Sequence, residues 1–371
     1  MNIEQLSVEW ILYAMLYGGV AMAALIACIY LCMRKGNAFA AGITPPVSLR
    51  RWAASFFALT FLIHVWWFLF GIYPSNLNSV EYLIIASLDC IGLLITIAGT
   101  LLSMLQDRKR SVWPIVAATI LFVVLLAVSV AFSNDYLIEI ASSYILLVFV
   151  SFCIYMIFAL KKYGRWLRDN YADLEHKEVW QSQVLVIIFL IAIISYRFDS
   201  GNIVISYIVQ LICLPLFGLL LWRVETLQQL VENTPMEQAC SSPSPETAKE
   251  PERTLNIPPN IEQLLDEYCV STQLYLQHDL TLHQLAQAVG TNRFYLSLYF
   301  SRQGITYNAY INNLRINHFM SLYREATATQ QPFTAQQLAN DSGYRSYSTF
   351  SLAFKQRMGQ SVTAWMRNIA T

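Results

Sequence analysis

GYRSYSTFSLAFKQRMG, Gly343 to Gly359, reads as a tight turn followed by a basic helix. Ser346 stands where a helix N-cap belongs, and Phe350 and Phe354 share one helical face at i and i+4. The opposite face is left to Tyr347, Ser348, Ser351, Lys355 and Arg357, with Arg345 in the turn. Upstream, TAQQLANDS begins with a capping threonine, Thr334, and carries Ala339, a side chain small enough for a second helix to cross closely. Gly343 suits a turn residue with positive φ.

The same unit occurs a second time. TLHQLAQAVGTNRFYLSLYF, from Thr281, repeats the pattern, and Leu285, Ala286 and Gly290 correspond to Leu338, Ala339 and Gly343 at a constant offset of 53 residues. Asn292 is the N-cap of its second helix, Leu296 and Phe300 are its core face, and Arg293, Tyr295, Ser297 and Arg302 its outer face. This is an internal duplication of helix, turn and helix. Ahead of it, Leu264, Leu265 and Tyr268 open a further amphipathic helix.

The run LxxLAxxVGxNxxYLSxxF, then INNLRI at 311–316, then QLANDSGYRSYSTFSLAFKQRMG resembles the C-terminal DNA-binding domain of the AraC/XylS family of bacterial transcription regulators. The hallmarks are the pair Leu314 and Arg315 between the two units and the closing G[FY]xSxSxFSxxFKxxxG pattern. The likeness covers roughly 110 residues by the double helix-turn-helix pattern, and departs from the family at Val362, where a proline is usual. It implies two recognition helices, 292–303 and 346–358, in successive major grooves about 34 Å apart. Asn292 and Ser346 start them. Arg293, Ser297, Tyr347, Ser348 and Ser351 are the expected base readers, with Tyr295 beside them; Arg302, Arg345, Lys355 and Arg357 are expected at phosphates, Arg345 also within reach of a guanine edge. Leu298 and Leu352 stand where family members often place polar readers, and suit thymine methyls. From residue 257 onward eight basic residues face six acidic ones, a net charge of +2, so few phosphate contacts support affinity.

The rest of the chain is of another class. Of 371 residues 56% are hydrophobic and 13% charged, against about 25% charged in soluble domains. Apolar runs long enough to cross about 30 Å of hydrocarbon lie at 10–33, 52–74, 81–105, 112–132, 136–160, 180–198 and 202–222, which predicts seven spans. The loops after the first, third and fifth hold twelve basic residues, among them Arg34, Arg50, Arg108, Lys161 and Arg168; the N-terminus and the other loops hold one, Arg197. The positive-inside rule then places the N-terminus outside and everything after Trp222 in the cytoplasm. MNIEQLSVEW lacks the basic start of a signal peptide, so the first run is kept as a span.

The expected fold is all-α: a seven-helix transmembrane domain over 1–223, a juxtamembrane helix and flexible linker over 224–256, and a DNA-binding domain over 257–371. RVETLQQLVEN continues the last span amphipathically, either as an interfacial stub or as a segment that pairs two copies in a homodimer. The stretch 234–259 is rich in Pro, Ser, Glu and Thr and has too few large apolar residues to fold.

Ionisable residues deep in a span are costly and point to function. His64 in the second and Asp89 in the third lie at similar depth on adjacent antiparallel helices, near Trp66 and Trp67, and form a candidate intramembrane sensor pair, for a ligand or for protons. A buried structural hydrogen bond is the competing reading. Pro215 and Gly218 mark a packing site or a hinge in the last span. Seven cysteines, five of them inside apolar runs and none in CxxC spacing, read as buried hydrophobes; no metal or cofactor is expected. No catalytic signature is present, and a non-enzymatic chain is expected. Taken with the resemblance, these features predict a one-component transcription regulator in the bacterial cytoplasmic membrane, with double-stranded DNA, the lipid bilayer and an unknown signal ligand as its partners. The alternative is a receptor or transporter-like protein whose helical tail is a protein-interaction module.

Overall fold

The computed structural model describes residues 8–34, 36–40, 42–72, 79–132, 134–175, 177, 180–182, 184–185, 187–188, 191, 203–230, 260–330 and 332–370. Among them every regular element is helical, and the chain divides into two compact units, Met1–Gly164 with His176–Leu230, and Arg165–Glu175 with Val231–Thr371. Linker residues 231–259, which include Cys240, and most of the expected span 180–198, with Arg197, lie outside the described residues.

In the first unit α1 (Val8–Met33), α2 (Val47–Ile72), α3 (Ser79–Ser103), α4 (Trp113–Ala131), α5 (Asp135–Asn170, which runs on past Gly164) and α6 (Ile203–Thr226) follow the apolar runs. All six are long and apolar enough to cross a membrane. At 1.5 Å per residue, the 26 residues of α1 reach about 39 Å, more than the hydrocarbon thickness. Their large side chains divide between an inner set, such as Phe57, Leu94 and Phe217, and an exposed set, such as Leu12, Met15, Met22 and Ile26 on α1. Exposed apolar area on that scale is what a lipid-facing surface requires. The α2–α3 contact is close because Gly99 has no side chain: a Cβ there would lie 2.3 Å from the Trp52 ring. α6 passes through Pro215 without interruption.

The helix of α6 ends at Thr226, so the expected amphipathic continuation is not helical over 227–230. Tertiary bonds take the place of helical ones. The Gln229 amide donates to the Thr44 carbonyl at 2.9 Å, and the Gln106 side chain accepts from the Leu230 amide at 2.8 Å. Leu227 is fully buried beside this end of α6, and the carboxylate of Glu225, also fully buried, is ion-paired with Arg34.

The second unit is built on α7 (Ile261–Leu265), a π turn (Asp266–Val270), α8 (Leu282–Ala288), α9 (Arg293–Arg302), α10 (Tyr307–Ala328), α11 (Ala335–Asp341), α12 (Tyr347–Met358) and α13 (Val362–Ala370). The π turn corrects the expected apolar face of the opening helix. Its wider winding turns Cys269 into the core and leaves Tyr268 40% exposed. Burial pushes the Cys269 thiol up to about 12, an inert hydrophobe. Two cores result, one under α8 and α9 with Leu285, Leu296 and Phe300, the other under α11 and α12 with Phe319, Phe350 and Phe354. α10 serves both, giving Ile311 to the first and Ile316, Phe319 and Tyr323 to the second. Val362 is 1% exposed, so the departure from the usual proline contributes a core side chain at the start of α13.

Gly343 has φ +88°, and a Cβ there would lie 2.7 Å from the Leu276 carbonyl oxygen. Gly343→Ala is expected to destabilise the second unit by about 2–4 kcal/mol, combining left-handed strain with a backbone clash. Gly290, at φ +70°, has nothing within 4 Å of its missing Cβ, so Gly290→Ala is expected to cost only about 1 kcal/mol of strain. Thermal unfolding of the two variants checks the order.

Candidate nucleic-acid interface

Each helix-turn-helix is fixed by its caps. In the first, Gln284 N donates to Thr281 Oγ1 at 3.2 Å while Gln284 Oε1 accepts from Thr281 N at 2.9 Å, a reciprocal capping box. Asn292 Oδ1 accepts from Phe294 N at 2.5 Å and starts α9. In the second, Thr334 Oγ1 accepts from Gln337 N at 3.1 Å, and Ser346 Oγ accepts from Thr349 N at 3.4 Å to start α12. The helices expected to be the recognition helices therefore run over 293–302 and 347–358, within a residue of the sequence expectation.

The outer faces are divided as the periodicity requires. Leu296, Phe300, Phe350 and Phe354 are buried, and Asn292, Ser297, Arg302, Arg345, Ser348, Lys355 and Arg357 are exposed. Arg293, Ser346 and Ser351 are half-buried. Tyr295 and Tyr347 are half-buried for a different reason: each packs its ring on the core beneath it, leaving only part of the side chain at the surface. Leu352 is 57% exposed on the α12 face, an apolar group set among polar ones.

Several of the basic groups have partners within the unit. Arg345 is ion-paired with Asp279. Arg357 reaches back to α10, donating to the Asn313 carbonyl and to Asn317 Oδ1, each at 2.7 Å. Arg293 donates from both Nε and Nη2 to Asn170 Oδ1, at 3.0 and 2.5 Å. Asn170 belongs to the stretch 165–175 that is part of this unit, and nothing in the helical periodicity marks that stretch as touching a recognition helix. Ala172 is buried in the first core, its N–H donates to the Leu280 carbonyl at 3.1 Å, and Asn308 Nδ2 donates to its carbonyl at 2.7 Å. Glu175 Oε2 accepts from the Thr349 hydroxyl of α12 at 3.2 Å. Thr349 and the 165–175 stretch are the surface residues that sequence reasoning missed. Their signal is tertiary.

Arg315, half of the Leu-Arg pair, is 1% exposed and does not belong to the outer surface. Its Nε donates to the Tyr275 carbonyl at 2.7 Å, its Nη2 to the Gln277 carbonyl at 2.8 Å, and its guanidinium lies 5.4 Å from the centre of the Tyr344 ring. Burial pushes its pKa down, and Tyr344 and Asp173 act in the opposite direction. His278 Nδ1 donates to the Gly343 carbonyl at 3.0 Å, so the turn of the second unit is tied to the segment before the first.

A sequence model of a helix-turn-helix domain matches residues 285–368, which spans both units and the helix between them. No curated protein and no solved structure matches the chain. This part of the chain is an AraC-type helix-turn-helix domain, and the protein is a DNA-binding transcription regulator.

Arg315→Ala removes two charged hydrogen bonds and leaves a cavity, and is expected to destabilise the second unit by about 3–5 kcal/mol. Urea unfolding followed by circular dichroism reads this loss. Arg315→Lys keeps the charge but not the forked geometry and is expected to recover only part of it.

Proposed function

We propose that the chain is a one-component regulator anchored in a bacterial cytoplasmic membrane. The N-terminal helices receive a signal and the cytoplasmic C-terminal domain binds specific DNA through both recognition helices. The observation that supports this reading is the pairing, in one chain, of six apolar helices with two capped helix-turn-helix units whose outer faces are polar and basic. The loop charges favour an outside N-terminus. No enzymatic step is part of this reading.

In the proposed complex Arg293, Ser297, Tyr347, Ser348 and Ser351 meet base edges, and Arg302, Arg345, Lys355 and Arg357 meet phosphates. Arg345 and Arg357 leave their present partners to do so, which subtracts from the affinity they supply. Leu352 is placed for a thymine methyl.

The test is selection of bound duplexes from a random pool by the full chain in lipid nanodiscs. The expected outcome is a bipartite motif with centres about 10 to 10.5 bp apart; an unenriched pool overturns the reading and favours a protein-interaction module. On the selected site, Lys355→Ala is expected to weaken binding to all sequences alike and to lower the salt slope by about 0.9. Arg293→Ala is expected to relax the preference at one position of one half-site at a cost of about 1–3 kcal/mol.

A further inference from the structure

The first unit holds a partly open cavity of about 520 Å³ between α1, α2, α3, α5 and α6, within the range of small-molecule sites. Its lining includes Tyr13, Tyr17, Trp67, Tyr82, His64 and Asp89. His64 and Asp89 thus share one cavity, but they take separate partners. His64 Nδ1 donates to the Thr60 carbonyl at 2.8 Å and its Nε2 lies 3.2 Å from Gln210 of α6. Asp89 Oδ2 accepts from Trp67 Nε1 at 2.6 Å and from Trp66 Nε1 at 3.3 Å.

The other carboxylate oxygen, Oδ1, is buried and has no hydrogen-bond partner among the described residues, although Asp89 is only 7% exposed. Two indole N–H groups are poor compensation for a carboxylate out of water. No lysine or arginine is among the described lining residues, so among them Asp89 has no permanent counter-charge. Around it the walls are aromatic: Trp67 and Tyr82 ring centres lie 4.9 Å apart, and those of Tyr17 and His64 4.5 Å. Such faces favour a cation and accommodate an apolar body. An anion would meet the Asp89 carboxylate with no lysine or arginine among the described lining residues to offset it, and a neutral solute could offer Oδ1 a hydrogen bond but no compensating charge.

We propose that this cavity binds a small organic amine in its ammonium form, its N–H groups on Asp89 Oδ1 and its aromatic or apolar body against Trp67, Tyr82 and the α1 tyrosines. The inference rests on the reading of the bundle as the input of the regulator and names the chemistry of that input. The probes are three molecules of one shape: phenethylamine, 2-phenylethanol and phenylacetate. Each is titrated into the full chain in nanodiscs at neutral pH, with tryptophan fluorescence as the readout. Phenethylamine is expected to bind saturably and at least about tenfold more tightly than 2-phenylethanol, with phenylacetate weakest. Asp89→Asn is expected to bring the amine down to the affinity of the alcohol. Equal binding of amine and alcohol, no saturable binding of the amine, or a preference for the amine that survives Asp89→Asn overturns the proposal. The ranking in the parent chain is decisive even where the variant fails to fold. Because binding is read without DNA, this result and the duplex selection succeed or fail separately.

A different set of observations carries a second inference. The stretch 165–175 bonds to both recognition helices, through Asn170 on Arg293 and Glu175 on Thr349, and is fixed by Ala172 between Leu280 and Asn308. Tyr171 also forms a β-bridge with Thr281, the cap of α8. We infer that this stretch is a strap that competes with DNA: Asn170 occupies the guanidinium that would meet a base, and Glu175 places a carboxylate near the start of α12, where a phosphate would lie. The strap is made of the end of α5 and the five residues after it, so a change in that helix has a covalent route to it. This rests on the DNA-binding reading. The test measures the affinity of the full chain in nanodiscs for its selected duplex after Asn170→Ala and Glu175→Gln. Each is expected to tighten binding about three- to tenfold, Asn170→Ala by removing the contact to Arg293 and Glu175→Gln by removing the charge that opposes a phosphate. Unchanged or weaker binding in both variants overturns the strap, whereas a parent chain that selects no duplex overturns the underlying reading instead.

Discussion

The buried guanidinium of Arg315 is the interaction on which the second unit depends. Two consecutive helix-turn-helix repeats have no inherent reason to hold a fixed relation, since each has its own small core. Arg315 stands on the helix that supplies both cores and grips the Tyr275 and Gln277 carbonyls on one side while lying against Tyr344 of the second turn on the other. The same turn brings Gly343 so near Leu276 that no side chain fits. A forked, planar cation is suited to this role because it satisfies two carbonyls and a ring at once. Two capped repeats are thereby held as one DNA-binding domain.

The outer surface follows from that constraint. The caps at Asn292 and Ser346 fix where each recognition helix starts, and helical periodicity then assigns Leu296, Phe300, Phe350 and Phe354 to the interior and the serines and basic residues to the exterior. Yet the exterior is not simply a set of waiting cations. Arg345, Arg357 and Arg293 are each bonded to a neighbour, the last of them to Asn170. For a domain with a net charge of only +2 from residue 257 onward, the partners of these three arginines bear directly on affinity, because each must be exchanged for DNA.

The membrane unit obeys a different solvent. Its apolar side chains lie on both the inner and the outer surfaces, and its shape rests on close approach, as at Gly99 against Trp52, and on a few buried polar groups. Both ring nitrogens of His64 have a neighbour, the Thr60 carbonyl one turn away and Gln210 of α6. Asp89 Oδ1 has no hydrogen-bond partner among the described residues, and its place beside an aromatic cavity sets it apart from the other buried polar atoms of this unit.

Sequence by itself determined the helical class, the apolar spans, the doubled helix-turn-helix and its caps, because each is a local pattern: periodicity, hydrophobic length, and a threonine, asparagine or serine before a helix. The outer faces of α9 and α12 were legible for the same reason. Only the tertiary structure decided which of those residues already have partners. It also decided that the Leu-Arg pair is internal, that a π turn exposes Tyr268, that α6 stops at Thr226, and that His64 and Asp89 share a cavity without bonding each other. These are outcomes of competition among side chains far apart in the chain, as between Asn170 and Arg293 or His64 and Gln210, and no local pattern encodes which contact wins.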